Sequence, residues 1–393
     1  MVRFEIENAA QMKQFQQVTN NSRNITIMNR VAVGSVDVMM STDASSKFDH
    51  IGIKKLIVTK DIQKLIESED AHSFMNSHQT AGKVASGIAI GEQEMFRDYQ
   101  DTDSYIAFLA GQPGASQISI GKSFLGADIP GVVFGSGKKL VVVHGAIHAR
   151  EWIAPATVAY LANELLKDTP RSRQLRGNFT FTFIPVLNVD GYAFTRDKLS
   201  GDRFWRKNRQ TTKDPRCAGV DLNRNFPGGW SLSGASGDPC EEDYYGEKAL
   251  SAPETSAIFT YVKGLNNVVA YTDFHAYGQL WLYPYGYDCG LTAKNADQLE
   301  KAAEIATDAI NDVNGLNFKA GPICQTIYRT SGGSADAMYD IGVDFPNAVE
   351  LRGLFTDPDG FALPAIQILA SGQEITAGMF AYWEYIASVT NRM

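Results

Sequence analysis

Apolar and polar positions change period several times along this chain. Val2-Arg3-Phe4-Glu5-Ile6-Glu7 alternates with period two, predicting a half-buried strand over residues 2–7. Residues 31–40 and Ile53-Lys54-Lys55-Leu56-Ile57-Val58 read as further strands, while Ala9 to Val18 and Asp61 to Ser68 carry helical spacing. Strands interleaved with helices over so short a stretch predict a small α+β open sandwich. Residues 79–94 contain Gly82, Gly87 and Gly91 and little apolar bulk, the profile of a connecting segment.

From Phe96 onward the segments lengthen. Leu140–His144, Phe179–Val186, Val268–His275 and Asn347–Leu351 are predicted strands; Ala154–Asp168, Pro253–Gly264 and Ala293–Asn314 are predicted helices. Val141-Val142-Val143 has no polar face at all, which suits a parallel strand covered on both sides. The expected fold class is α/β, a mixed parallel/antiparallel sheet flanked by helices, preceded by the small α+β unit. The expected division is residues 1–90 and 91–393.

Composition narrows the function classes. With 44% hydrophobic and 20% charged residues the chain reads as globular, and no apolar run approaches the roughly 20 residues of a membrane helix, so no membrane partner is expected. The net charge is −8; residues 1–90 hold ten basic and nine acidic side chains, so the acidic excess lies beyond them. No basic run suggests nucleic acid. The four cysteines, Cys217, Cys240, Cys289 and Cys324, allow three pairings and lack the close spacing of a Cys zinc site. Gly135-Ser136-Gly137-Lys138-Lys139 imitates a phosphate loop, but Val132 stands where the first glycine is required, so a turn before a strand is expected.

Histidine is scarce, and beyond residue 80 only His144, His148 and His275 occur. His148 and Glu151 follow the Val141–Val143 run three positions apart, and His275 closes the strand-like run from Val268. Reactive groups collect outside the carboxyl ends of strands in open α/β sheets, and imidazole with carboxylate suits Zn²⁺. Two ligands from one turn leave a site incomplete. His275 is the candidate third, with His144 a rival.

Several motifs together resemble the zinc metallocarboxypeptidases, specifically the procarboxypeptidase A/B branch. They are His148-Ala149-Arg150-Glu151-Trp152, Pro185-Val186-Leu187-Asn188-Val189-Asp190-Gly191-Tyr192, Asp221-Leu222-Asn223-Arg224-Asn225, Tyr283-Pro284-Tyr285-Gly286, Ser331-Gly332-Gly333-Ser334 and Glu350-Leu351-Arg352, in the family's order from about Phe96 to the C-terminus. The resemblance implies one Zn²⁺ per chain on His148, Glu151 and His275, with Asp221 supporting a ligand His. It implies Glu350 as the base and Arg206 as the oxyanion donor. It implies Asn223 and Arg224 as the clamp on a substrate's terminal carboxylate, Arg150 farther along the groove, Tyr328 covering the bound terminus, and Tyr277 and Phe361 lining the cleft. Disulfides Cys217–Cys240 and Cys289–Cys324, an oxidising compartment, and an inhibitory role for residues 1–90 also follow from it.

Basic-specific relatives place Asp where this chain has Ala335. Ile323, Ile327, Thr330, Gly333, Ala335 and Ala348 give an apolar, roomy pocket, so an A-type preference for aromatic or large aliphatic C-terminal residues is expected. Asp336 is expected to face elsewhere. After Arg352, the Gly353–Asp359 segment departs from the family pattern. The expected partners are peptide or protein C-termini and an activating protease, acting on a monomer. Secretion is expected, its signal removed, with a vacuolar or lysosomal location as the alternative. Competing readings are a zinc hydrolase of small N-acyl amino acids and a non-catalytic binding protein of the same fold.

Overall fold

The computed structural model describes residues 1–20, 25–28, 34–70, 92–354 and 360–390, and the chain divides into two compact units, Met1–Ser68 and Glu69–Met393. In the first unit, strands β1 (Val2–Ile6), β2 (Ile25–Ile27), β3 (Gly34–Met40) and β4 (Lys54–Ile57) form an antiparallel sheet ordered β2-β3-β1-β4. The period-two pattern of β1 buries Val2, Phe4 and Ile6 against Phe15 of the helix Ala9–Asn20, with Val36, Val38 and Phe48 completing the core. Arg3 and Asp37, paired across β1 and β3, form a buried ion pair with bonds of 2.6 and 2.7 Å.

The expected connector at 79–94 lies outside the described residues up to 91; Glu92–Met95 is a short helix whose Met95 is buried. The expected strand at 31–40 is described from Gly34, and β2 was not anticipated because three residues carry no readable period.

The second unit is built on eight strands: β5 (Ser116–Lys122), β6 (Asp128–Gly135), β7 (Lys139–Gly145), β8 (Phe179–Ile184), β9 (Val268–His275), β10 (Leu280–Tyr283), β11 (Lys319–Pro322) and β12 (Phe345–Glu350), ordered β11-β10-β12-β9-β7-β8-β6-β5. The central strands β12, β9, β7 and β8 run parallel, and antiparallel pairings join β10 to β12, β6 to β8 and β5 to β6. Val141, Val142 and Val143 are fully buried, as a two-sided strand requires.

Neighbouring residues of β8 show how the sheet is covered. Phe181 and Phe183 meet Trp383 of the helix Gln367–Thr390 at ring distances of 4.8 and 6.4 Å. The Thr182 hydroxyl lies 3.0 Å from that of Tyr261 in the helix Pro253–Gly264. Side chains alternate along a strand, so these helices cover opposite faces. Gly135 ends β6 and Lys139 begins β7, so the phosphate-loop imitation is a turn. No helix among the described residues is long and apolar enough to cross a membrane. Both disulfides, Cys217–Cys240 and Cys289–Cys324, are formed.

Candidate metal centre and substrate cleft

Three adjacent parallel strands set the site. Register places Glu350 at the end of β12 beside His275 at the end of β9, and His144 near the end of β7 beside Asp273. Beyond β7 the chain turns, with Glu151 N–H donating to His148 O, before the helix Ile153–Leu166 begins. That turn carries His148 and Glu151 to the same place as His275.

The inner atoms converge. His148 Nδ1 lies 2.8 Å from Glu151 Oε1 and 3.2 Å from His275 Nδ1, which is 3.3 Å from Glu151 Oε2. All three side chains are buried. The Ala276 N–H donates to Glu151 Oε2 at 3.2 Å, fixing the carboxylate from the far side. Two imidazole nitrogens turned toward each other beside a carboxylate form a donor set that fits Zn²⁺, and no other protein group among the described residues lies in the set. His144 is not among them: its Nε2 bonds the Tyr271 hydroxyl behind the site.

Each inward-facing imidazole has an outer carboxylate. His148 Nε2 lies 3.1 Å from Asp221 Oδ1, and His275 Nε2 lies 3.0 Å from Asp273 Oδ2. Asp221 also accepts Arg206 Nε and Nη2 on Oδ2 at 3.1 and 2.9 Å. Burial would raise the Asp221 carboxyl, but Arg206 and His148 hold it well below its ordinary range. Burial likewise opposes ionisation of Asp273, and the His144 and His275 rings bring it down to about 2. Glu350 behaves in the opposite way: burial, with Glu151 adding to it against the pull of His275, pushes its carboxyl up to about 8. Arg352, two residues on, is bonded to Glu374 at 3.1 and 2.9 Å, so it is not the partner of Glu350.

Asn223 and Arg224 lie in a single 3-10 turn, Leu222–Arg224, capped by Asp221. Asn223 Oδ1 accepts the Ser334 N–H at 2.8 Å, which fixes the amide orientation. Arg224 is buried; its Nη1 donates to Asn223 O at 2.7 Å, its Nε has no hydrogen-bond partner, and no carboxylate pairs with it among the described residues. Asp221 acts on this guanidinium electrostatically without bonding it, so its free donors remain open to a ligand's anion. Gly332 explains part of the Ser331–Ser334 motif: it has φ +66°, and a Cβ there would come within 2.2 Å of Arg224 O.

Arg150 is buried, donating to Glu242 Oε2 at 3.1 Å and lying 4.4 Å over the Phe361 ring. Tyr277 meets Phe361 edge-on at 5.0 Å, so these three make one wall. Tyr328 is exposed, and its phenol is among the groups acting on Arg206. Ala335, Ala348, Ile323 and Ile327 belong to an apolar cluster separate from the main core, together with Leu280 and Leu282 of β10. Asp336 turns away from it, accepting the backbone N–H groups of Gly286 and Tyr287 at 2.8 and 3.0 Å, and burial pushes it up to about 7. Of the Gly353–Asp359 departure, residues 355–359 lie outside the described residues.

Asp273, Glu242, Leu280 and Leu282 were not singled out from sequence, and Ser334 was noted only as part of a motif, without a role. Asp273 alone carried a signal, being a charged residue inside the otherwise buried run Val268–His275.

Sheet, helices and donor set together define an α/β protein with a candidate metal site at the ends of its central strands. The zinc carboxypeptidase pattern matches residues 103–378, and the chain belongs to that family. It is 36% identical over 370 residues to a metallocarboxypeptidase A-like protein of Trichophyton verrucosum, covering 90% of this chain and 85% of that one. Carboxypeptidase A2 of Rattus norvegicus is 34% identical over 341 residues, covering 85% and 79%. Among solved structures, carboxypeptidase A from Helicoverpa armigera superposes with a TM-score of 0.82 at 25% identity, covering 99% of this chain and 98% of that chain.

Proposed function

We propose that this metallocarboxypeptidase removes a single C-terminal residue from peptides, preferring aromatic and large aliphatic side chains. The observation that carries this reading is the convergence of His148 Nδ1, His275 Nδ1 and Glu151, next to Glu350, with a buried Arg224 whose Nε has no hydrogen-bond partner. His148, Glu151 and His275 would hold one Zn²⁺, which when bound supplies Lewis acidity and makes water a stronger nucleophile.

The chain's own residues do the rest. Arg224 and Asn223 bind the terminal carboxylate, the fork of the guanidinium matching its two oxygens. The terminal side chain enters the apolar cluster around Ala335 and Ala348, which disfavours an unpaired cation. Glu350 takes a proton from the attacking water on its carboxylate and returns it to the leaving amine. Arg206 donates to the developing oxyanion; Nη1 is the nitrogen not committed to Asp221. Tyr328 closes over the bound terminus, and Arg150, Tyr277 and Phe361 shape the groove beyond it.

Residues 1–90 act as an inhibitory prosegment cleaved by an activating protease. The separate compact unit Met1–Ser68 supports this reading. The two disulfides favour a secreted protein, which we take to act as a monomer. Release rates from matched peptides ending in Phe, Leu, Lys and amidated Phe test the specificity. Phe and Leu should be released, Lys poorly and the amide hardly at all; efficient Lys release defeats the pocket assignment, and efficient amide cleavage defeats the carboxylate clamp. A full-length chain as active as one starting near residue 90 would defeat the inhibitory role.

A further inference from the structure

The zinc-site reading leaves unused a polar chain behind His275 and the second serine of the Ser331-Gly332-Gly333-Ser334 motif. An imidazole has two nitrogens, and His275 turns Nδ1 toward His148 and Glu151, so only Nε2 remains to fix the ring. Asp273 precedes His275 by two residues on β9 and so shares its face. Its Oδ2 lies 3.0 Å from His275 Nε2 and accepts the Ser334 hydroxyl at 2.6 Å. His144 approaches from β7, but its Nδ1 is 3.5 Å from Asp273 Oδ1, beyond a good hydrogen bond, and Oδ1 has no hydrogen-bond partner among the described residues. Ser334 donates its hydroxyl to Oδ2, and His275 Nε2 lies 3.0 Å from the same oxygen.

We propose that Asp273 is a positioning residue that holds the His275 ring in the tautomer with Nδ1 bare for metal, and that Ser334 ties this carboxylate to Asn223. The inference rests on the reading of His275 as a zinc ligand. With the Nε2 proton given to Asp273, Asn223 Nδ2, 3.3 Å from Nε2, has no lone pair there to donate to. The Asn223 amide is set instead by the Ser334 N–H on Oδ1, which keeps Nδ2 for an incoming carboxylate. One residue thus orients both arms of the cleft, through its hydroxyl on one side and its backbone on the other. Metal-bound histidines held by an outer carboxylate lose affinity when that partner is removed.

The test uses the full chain, its equilibrium zinc dissociation constant measured by competition with a chelator, and the visible spectrum of the cobalt(II)-substituted protein. Asp273→Asn should raise the dissociation constant about 10–100-fold and alter the cobalt bands. Ser334→Ala should change both in the same direction by less, and raise KM more than it lowers kcat. A folded Asp273→Asn chain with wild-type zinc affinity and wild-type cobalt bands overturns the proposal. Should that variant not fold, Ser334→Ala decides alone: unchanged affinity and spectrum overturn the proposal, and a raised constant with altered bands supports it. Failure of the wild-type chain to take up zinc would instead defeat the zinc-site reading itself.

Discussion

Strand β12 is a seam between two unlike halves of the cleft. Along one edge β9 brings His275 beside Glu350; along the other β10 brings Leu282 beside Ala348 and Leu280 beside Glu350. The polar half is directional, with inner atoms converging at 2.8–3.3 Å and each outer imidazole nitrogen held by its own carboxylate. The apolar half has no such constraint. In the proposed reading it selects by volume and apolar character, with small residues at 335 and 348 leaving the space. Substitutions should therefore act nearly all-or-none on the first half and by degrees on the second.

The largest effect should come from the inner ring. His148→Ala, Glu151→Ala and His275→Ala should each lose zinc and with it nearly all turnover, whereas Glu350→Gln should keep zinc and lose about 10²–10⁴-fold in kcat. Metal analysis beside single-turnover rates separates the two behaviours. Near-stoichiometric zinc in all three alanine variants would erase the distinction between ligands and base.

Next in size is Ala335→Asp. An anion placed in the apolar half should move preference toward C-terminal Lys and Arg, measured as the ratio of kcat/KM for Lys to that for Phe. Graded change is expected among Phe, Leu and Met in the wild type, because one methylene is worth only about 1–3 kcal/mol. An unchanged ratio in the variant would mean the terminal side chain binds elsewhere.

The smallest effect concerns stability. In the metal-free protein Glu350 is raised from 4.5 to about 8, mainly by burial. Between those values the folded chain keeps a proton that the unfolded chain has released, so this carboxyl makes stability fall as pH rises through the window. Glu350→Gln cannot ionise and should flatten that part of a plot of Tm against pH. A slope equal to that of the wild type would show that the carboxyl is already ionised in the folded state.

The polar half was legible early because its residue types are scarce and chemically narrow. Three histidines beyond residue 80, two of them at predicted strand ends, left few ways to build a site. The main strands of the second unit were legible for a related reason, since continuous β-branched or aromatic runs such as Val141–Val143 and Phe179–Phe183 suit few other environments. The short strands β2, β10 and β11, the longer β5 and β6, and the helix Gln367–Thr390 were not anticipated. Strands of three or four residues carry too few periods to register, and the helix is apolar around much of its girth, which weakens its amphipathic signal.

By itself the sequence determined which positions are candidates for the proposed chemistry, because motif order and scarce side chains restrict donors, base and clamp to a few residues. It also determined that residue 335 carries no charge. Tertiary structure alone decided partnership. It took Arg352 away from Glu350 and gave it to Glu374, buried Arg150 against Glu242 and Phe361, and set Asp273 behind His275 with Ser334 across from it. The physical reason is that hydrogen bonds and ion pairs act over about 3 Å between groups far apart along the chain. Only strand register and helix packing determine which of them meet.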